Sequence, residues 1–272
     1  MKIRIITAIL MCAMASFESG GSGFAPGLVA AAGVAAADTG DTYVVDDGLV
    51  SYWKFGNVYT TTDLISSHNG TIVSALGYYT GCDGVANGTY NWAGNNYISV
   101  GDHTDFSFGN SSVDTAFSLS VWIRPYSTST SGWVCKRQDS THREYYFYQD
   151  SNQHPTFNLV DESTDALRIS TAAGVTLVAG TWYHVVMTYT PTGNSTPENG
   201  VKIYVNGVSK TITKTSSGGT YAAMENLVTV LCLGDLYPGS GTYAFGGQLD
   251  EARVYDVALT VTEVGLLYAA QK

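Results

Sequence analysis

The chain has 272 residues, with 13 Lys and Arg against 23 Asp and Glu, a formal net charge of −10 and only 13% charged residues. No cluster of basic residues interrupts that balance, so the composition excludes a nucleic-acid backbone as partner, since that is bound through grouped Lys and Arg. Low charge with 19 Tyr and 30 Gly is the composition of a β-rich extracellular or particle-borne protein, rather than of a helical cytosolic enzyme.

The chain opens with the basic Met1-Lys-Ile-Arg4, an apolar run from Ile5 to Ala15 and an Ala13-x-Ala15 end. This reads as a short signal peptide cut before Ser16 or as a retained apolar N-terminus; it is too short to span a bilayer as a mature helix. Residues 16–45 are Gly/Ala-rich and hold too little apolar bulk for a core of their own, as expected of a linker or an assembly arm. Residues 46–272 are ample for one large folded domain.

Strand patterns then follow one another. Gly48 to Phe55 is the first, and Asn95 to Val100 the next. In Phe117-Ser-Leu-Ser-Val-Trp-Ile-Arg-Pro125 the residues Phe117, Leu119, Val121 and Ile123 alternate with Ser118, Ser120, Trp122 and Arg124, which predicts a strand with one dry and one wet face. Tyr145 to Gln149 and Thr156 to Val160 form a hairpin pair across a turn-rich link, and Leu167 to Thr171 adds another strand. Thr181-Trp-Tyr-His-Val-Val-Met-Thr-Tyr189 and Val201-Lys-Ile-Tyr-Val205 repeat the alternation. Asn206-Gly207 supplies the two left-handed positions of a type I′ turn, so Val208 to Lys214 is expected to run back as its partner. Leu227 to Gly234 and Gly247 to Tyr255 complete the strands. Thr260-x-x-Glu263 is a capping box that opens one short C-terminal helix with Val261, Val264, Leu267 and Tyr268 on a shared face. No βαβ spacing occurs, so the sheets should be antiparallel. Of four cysteines, Cys82, Cys135 and Cys232 fall in the domain, enough for one bridge at most.

The ordered series Asp47-Gly-Leu-Val-Ser-Tyr-Trp-Lys-Phe55, Phe117 to Pro125, Thr181 to Tyr189, Val201 to Gly207 and Gly247-Gln-Leu-Asp-Glu-Ala-Arg-Val-Tyr255 resembles the laminin-G-like, concanavalin A-like lectin and glucanase jelly-roll family. The resemblance spans roughly residues 46 to 270 and implies an all-β, two-sheet antiparallel jelly-roll sandwich with a short C-terminal helix. Glucanases of this kind place paired carboxylates on one strand in an E-x-D-x-x-E pattern, about 5 Å apart. That triplet is absent, and Asp161-Glu162 and Asp250-Glu251 are merely adjacent, so the expectation is a protein that is not an enzyme.

A calcium ion seeks hard oxygen ligands. The resemblance places Asp250 as its structural ligand, with Asp63 and Asn69 in a loop able to contribute. For a glycan ligand, the aromatics in or beside loops are Trp133, Tyr146, Tyr148, Tyr237 and Tyr243, with Asp139, Asn152 and Asp235 as polar neighbours. Two functions fit these features. One is a non-catalytic adhesion or carbohydrate-binding module of a secreted or surface-attached protein, with glycans or cell-surface polymers as partners. The other is a structural subunit of a virion or extracellular filament, in which the N-terminal arm contacts copies of itself or other subunits.

Overall fold

The computed structural model describes residues 45–193 and 196–271. The expectations for residues 1–15 and for the arm up to residue 44 lie outside the described residues.

The chain forms β1 (Leu49–Trp53), a single turn α1 (Gly56–Tyr59), β2 (Thr71–Val73), β3 (Gly77–Tyr79), β4 (Thr89–Trp92) and β5 (Tyr97–Gly101). Next come β6 (Phe117–Pro125), β7 (Ser131–Arg137), β8 (Arg143–Gln149), β9 (Pro155–Asp161), β10 (Ala166–Thr171) and β11 (Tyr183–Tyr189). The last part holds β12 (Val201–Val205), β13 (Val208–Lys210), β14 (Thr213–Ser217), β15 (Leu231–Leu233), β16 (Gly247–Tyr255) and the helix α2 (Val261–Ala270).

The strands make two antiparallel sheets. The first runs in the order β13-β12-β11-β6-β16-β4-β3, with β1 also paired to β16; the second runs β14-β10-β9-β8-β7-β15-β5-β2. Their inner faces share one core, in which Phe117, Leu119, Val121, Ile123, Val185, Met187 and Leu249 meet Val134, Phe147, Phe157 and Leu231. Full burial of each such side chain contributes about 1.5–3 kcal/mol. This is the two-sheet antiparallel jelly-roll sandwich that the resemblance implied.

Three details depart from the sequence pattern. The face of β6 expected to be wet is dry, with Ser118, Ser120 and Trp122 all buried. The helix α2 explains this: Trp122 stacks on Tyr268 at 5.8 Å and donates from Nε1 to Gln271 at 3.0 Å, while Leu267 and Val264 join a second apolar cluster with Val186, Tyr204 and Tyr255. On the same face His184 lies 2.8 Å from the Ser120 hydroxyl, and burial followed by the charge of Arg253 pushes its imidazole down to about 3.

The partner of β12 is shorter than expected. Asn206 and Gly207 do take positive φ angles of 53° and 76°, and β13 pairs back over three residues. After Lys210, however, the chain crosses to the other sheet, where β14 pairs with β10. The expected strand from Leu227 to Gly234 is reduced to β15. The thiols of Cys82, Cys135 and Cys232 are all free, although Cys135 and Cys232 stand directly opposite each other on β7 and β15.

Candidate functional site

α2 lies on the first sheet; the outer side of the second sheet is buried at its centre, where Cys135 and Cys232 are inaccessible and Tyr146 is 5% exposed, and half-buried at Tyr148 and Tyr237. The register of its strands builds a transverse row there: Ser99, Cys232, Cys135, Tyr146, Asn158 and Ile169 are successive cross-strand partners. They face outward because their neighbours Val134, Tyr145, Phe147, Phe157 and Leu159 point into the core and side chains alternate along a strand. Cys135, Tyr146, Val160 and Leu236 form a small apolar floor on this side, edged by the half-buried Tyr148 and Leu167. The Tyr146 and Tyr148 rings are 5.6 Å apart, and burial raises both phenols above their usual range.

Arg137, at the end of β7, crosses this floor. Its guanidinium stands 5.3 Å from the Tyr146 ring centre and 4.8 Å from that of Tyr237, within the range of cation–π attraction. Nε donates to the backbone oxygen of Asp139 at 3.1 Å. The Asp139 carboxylate itself turns to Thr141 and His142. The Thr141 backbone N–H first, and His142 second, hold it down to about 2.

Two buried acceptors lie on the same face. Asn158 Oδ1 and Asp235 Oδ2 have no hydrogen-bond partner among the described residues. Such groups are normally satisfied by protein, water or ligand. Asp235 accepts from the Tyr237 N–H at 2.9 Å through its other oxygen, and burial pushes its carboxyl up to about 6.

Of the residues expected at a ligand surface, Tyr146, Tyr237, Asp235 and Asp139 therefore come together around Arg137, with Tyr148 beyond Tyr146. Trp133 does not: it is fully buried with its ring 5.0 Å from Phe147, because β7 is irregular between Gly132 and Val134 and turns the indole into the core. Asn152 is also separate, in the exposed turn after β8, at the opposite end of that strand from Asp139. Tyr243 is exposed, and its backbone oxygen accepts from Gly132 and Leu236, which ties the 235–244 loop to the sheet. The sequence pattern passed over Arg137 and Asn158. Strand alternation from Cys135 was the available signal for the first, and alternation between Phe157 and Leu159 for the second.

The residues expected to hold calcium divide in two. Asp63 is a loop organiser: its carboxylate accepts from Ser51 Oγ at 2.9 Å, Tyr52 N at 3.0 Å and Ile65 N at 3.1 Å, and also from Ser66. Asn69 Oδ1 in turn accepts from the Asp63 N–H at 2.9 Å. Both thus order this loop on β1. Asp250 is different. Its buried carboxylate receives the N–H groups of Cys82 and Glu251, each at 3.0 Å, and the Cys82 thiol, and burial and then the neighbouring Glu251 push it well above the carboxylate range. Asp83 converges on the same spot. A Cβ on Gly81 would lie 2.8 Å from Asp250 Oδ2 and 2.9 Å from Asp83 Oδ1. Two hard carboxylate oxygens beside a cramped glycine turn suit calcium. Among the described residues no three His, Cys, Asp or Glu side chains gather into a metal cluster, so backbone oxygens and water would complete the shell. Glu251 is engaged elsewhere, 2.7 Å from Arg253.

Comparison with known proteins places this architecture. Residues 91–265, more than half of the chain, match the model of the concanavalin A-like lectin/glucanases superfamily. No curated protein sequence matches the chain. Among solved structures it is similar to domain 4 of AbnA, a GH43 extracellular arabinanase from Geobacillus stearothermophilus, solved in complex with arabinotriose. The TM-score is 0.56 at 19% identity, covering 81% of this chain and 98% of that one. It is also similar to the binding domain of Paraclostridial Mosquitocidal Protein 1 (TM-score 0.58, 15% identity, 81% and 52% covered). A third is the botulinum neurotoxin serotype D ligand binding domain in complex with N-acetylneuraminic acid (0.54, 11%, 82% and 51%). The chain spans about half the length of these two toxin domains. Among the described residues no helix is long and apolar enough to cross a membrane.

Proposed function

The chain belongs to the concanavalin A-like lectin/glucanases superfamily, and from that premise we propose that it is a non-catalytic carbohydrate-binding module of a secreted or surface-attached protein. The observation that carries this reading is the outer face of the second sheet. There the Arg137 guanidinium stands over the Tyr146 and Tyr237 rings, Tyr148 lies beside Tyr146, and two buried acceptors have no donor. A sugar ring presents a C–H face that stacks on such rings, and hydroxyls that donate to such acceptors. Solved domains of similar fold that carry saccharides support the reading. The missing carboxylate triplet supports a role in holding a polymer rather than cleaving it.

Screening the full-length chain on a panel of soluble polysaccharides, followed by calorimetry on any hit, tests the proposal. Tyr148→Ala should weaken the interaction about tenfold or more, as expected for loss of a stacked ring, while a lower but still cooperative melting transition reports the packing lost at the edge of the floor. Unchanged affinity in Tyr148→Ala and Tyr237→Ala would move the ligand off this face. The alternative of an assembly subunit rests on the N-terminal arm, which lies outside the described residues.

A structural calcium is the second part of the proposal, with Asp250 and Asp83 as its carboxylate ligands. The ion would supply the positive charge that the buried Asp250 lacks, and would fix the turn at Gly81 against β16.

A further inference from the structure

Five arginines fall among the described residues, and four have terminal nitrogens on an acceptor. Arg124 reaches Gln248 at 3.2 Å, Arg143 Glu162 at 2.9 Å, Arg168 the Gly219 carbonyl at 3.2 Å and Arg253 Glu251 at 2.7 Å. Arg137 is the exception. A guanidinium carries five N–H donors, and in Arg137 Nε alone is engaged, on the Asp139 carbonyl. Both terminal nitrogens lack an acceptor among the described residues.

Three of the other four also stand over one tyrosine ring; Arg137 stands over two. Arg137 is half-buried, held between the Tyr146 and Tyr237 rings. Those contacts fix the plane of the fork before any ligand arrives, so little side-chain entropy remains to be lost on binding. The nearest acid on its own turn, Asp139, is committed to Thr141 and His142. A pre-oriented guanidinium with free terminal donors matches the two oxygens of a carboxylate or sulfate.

The rest of the face specifies what else the ligand must carry. Asn158 Oδ1 and Asp235 Oδ2 are buried acceptors without donors, one opposite Tyr146 in register and the other within the electrostatic reach of Arg137. Together they call for hydroxyl or N–H groups beside the anion. The tyrosine rings call for an apolar C–H face. One molecule with an oxyanion, hydroxyls and a C–H face is an acidic sugar.

We infer that Arg137 makes this face selective for acidic saccharides, its guanidinium, backed by the buried Tyr146, seating the carboxylate or sulfate of one residue while the half-buried Tyr148 and Tyr237 meet the sugar's C–H face. This rests on the reading of the face as the saccharide-binding surface. The net charge of −10 agrees with a single focused cation rather than a basic groove. Such a cation selects one anion within a polymer and does not attract polyanions in general.

The test uses the full-length chain and matched probes that differ in one group: trigalacturonate against galactotriose, and a sulfated against an unsulfated galactan oligosaccharide. Calorimetry should give the acidic member of at least one pair about tenfold or more higher affinity, the scale of one charged hydrogen-bonded contact. The two pairs separate carboxylate from sulfate recognition. Arg137→Gln should reduce the acidic member to the neutral one's affinity, and Arg137→Lys, which keeps charge but loses the fork, should retain only part of the preference. Melting temperatures of both variants show that the fold is intact, and if Arg137→Gln does not fold, the Lys variant decides. Equal affinity within both pairs, or a preference that survives Arg137→Gln, overturns the inference. Neutral binding that Tyr148→Ala removes and Arg137→Gln spares overturns the anion assignment alone. No binding of any saccharide overturns the underlying reading with it.

Discussion

The Lys136 ammonium lies 3.4 Å from the Glu144 carboxylate with neither side chain exposed to solvent. Lys136 also donates to Asp102 at 2.9 Å and to the Thr229 carbonyl at 2.8 Å. Glu144 Oε1 accepts from Leu227 N and Ser107 Oγ, while Oε2 has no partner among the described residues. Burial outweighs the lysine and pushes the Glu144 carboxyl up to about 7. A carboxyl raised in the folded state favours folding while it is protonated. Its stabilisation is therefore complete below about pH 4.5 and disappears as pH rises toward 7.

Urea unfolding followed between pH 4.5 and 7 should accordingly show a loss on the order of 3 kcal/mol from this group. Glu144→Gln, which keeps an acceptor for Leu227, should flatten that slope. A slope identical in the variant would show that Glu144 does not carry the effect. Asp235, raised to about 6 by burial, adds a smaller change of the same sign.

Calcium should stabilise the protein through Asp250. At a hundredfold excess over its dissociation constant, a ligand that binds only the folded state adds about 2.7 kcal/mol, or several degrees in melting temperature for a domain of this size. Differential scanning fluorimetry with calcium and then EDTA should show that shift in the wild type and none in Asp250→Asn or Asp83→Asn. A wild type indifferent to EDTA retires the site.

Gly234 has φ +90°, and a Cβ there would collide with the Trp92 indole nitrogen. Trp92 is buried in the shared core and cannot retreat without opening it. Gly234→Ala should cost about 2–4 kcal/mol through combined backbone strain and overpacking. Gly174→Ala, where the added methyl meets open space, is the control, and equal melting temperatures for the two variants would refute the assignment.

The helix α2 is part of the fold rather than an appendage. Leu267→Ala should cost about 2–5 kcal/mol because the side chain is buried against the first sheet. Thr260→Ala, which removes the cap received by the Glu263 N–H at 3.3 Å, should cost about 1 kcal/mol. Chemical denaturation of both variants checks the ranking; equal effects would mean that helix formation, and not docking, is what matters.

Period-2 alternation in Phe117 to Ile123, the Asn206-Gly207 turn and the Thr260–Glu263 box each carry their structure within a few residues, which is why they were legible. The opposite holds for the surfaces. Nothing near Ser118 or Trp122 announces that a helix some 140 residues later will cover them. The run Tyr145-Tyr146-Phe147-Tyr148 is aromatic on both faces, so alternation alone could not say which rings look outward. The Trp133 indole is directed inward by a local irregularity that no pattern marks. Arg137 escaped notice because its second aromatic contact, Tyr237, is distant in sequence, and Asp83 because its partner Asp250 is more distant still.

The pairing of β1 with β16 aligns Leu49 with Tyr255, and the Tyr255 hydroxyl donates to the Val45 carbonyl at 3.3 Å. Val45 and the end of the last strand are thus neighbours. A pull applied between those two points would load the β1–β16 hydrogen bonds one after another, like a zip, instead of shearing them together. Held by a single point, the sandwich would resist as a whole; stretched between Val45 and Tyr255, it would surrender β1 first.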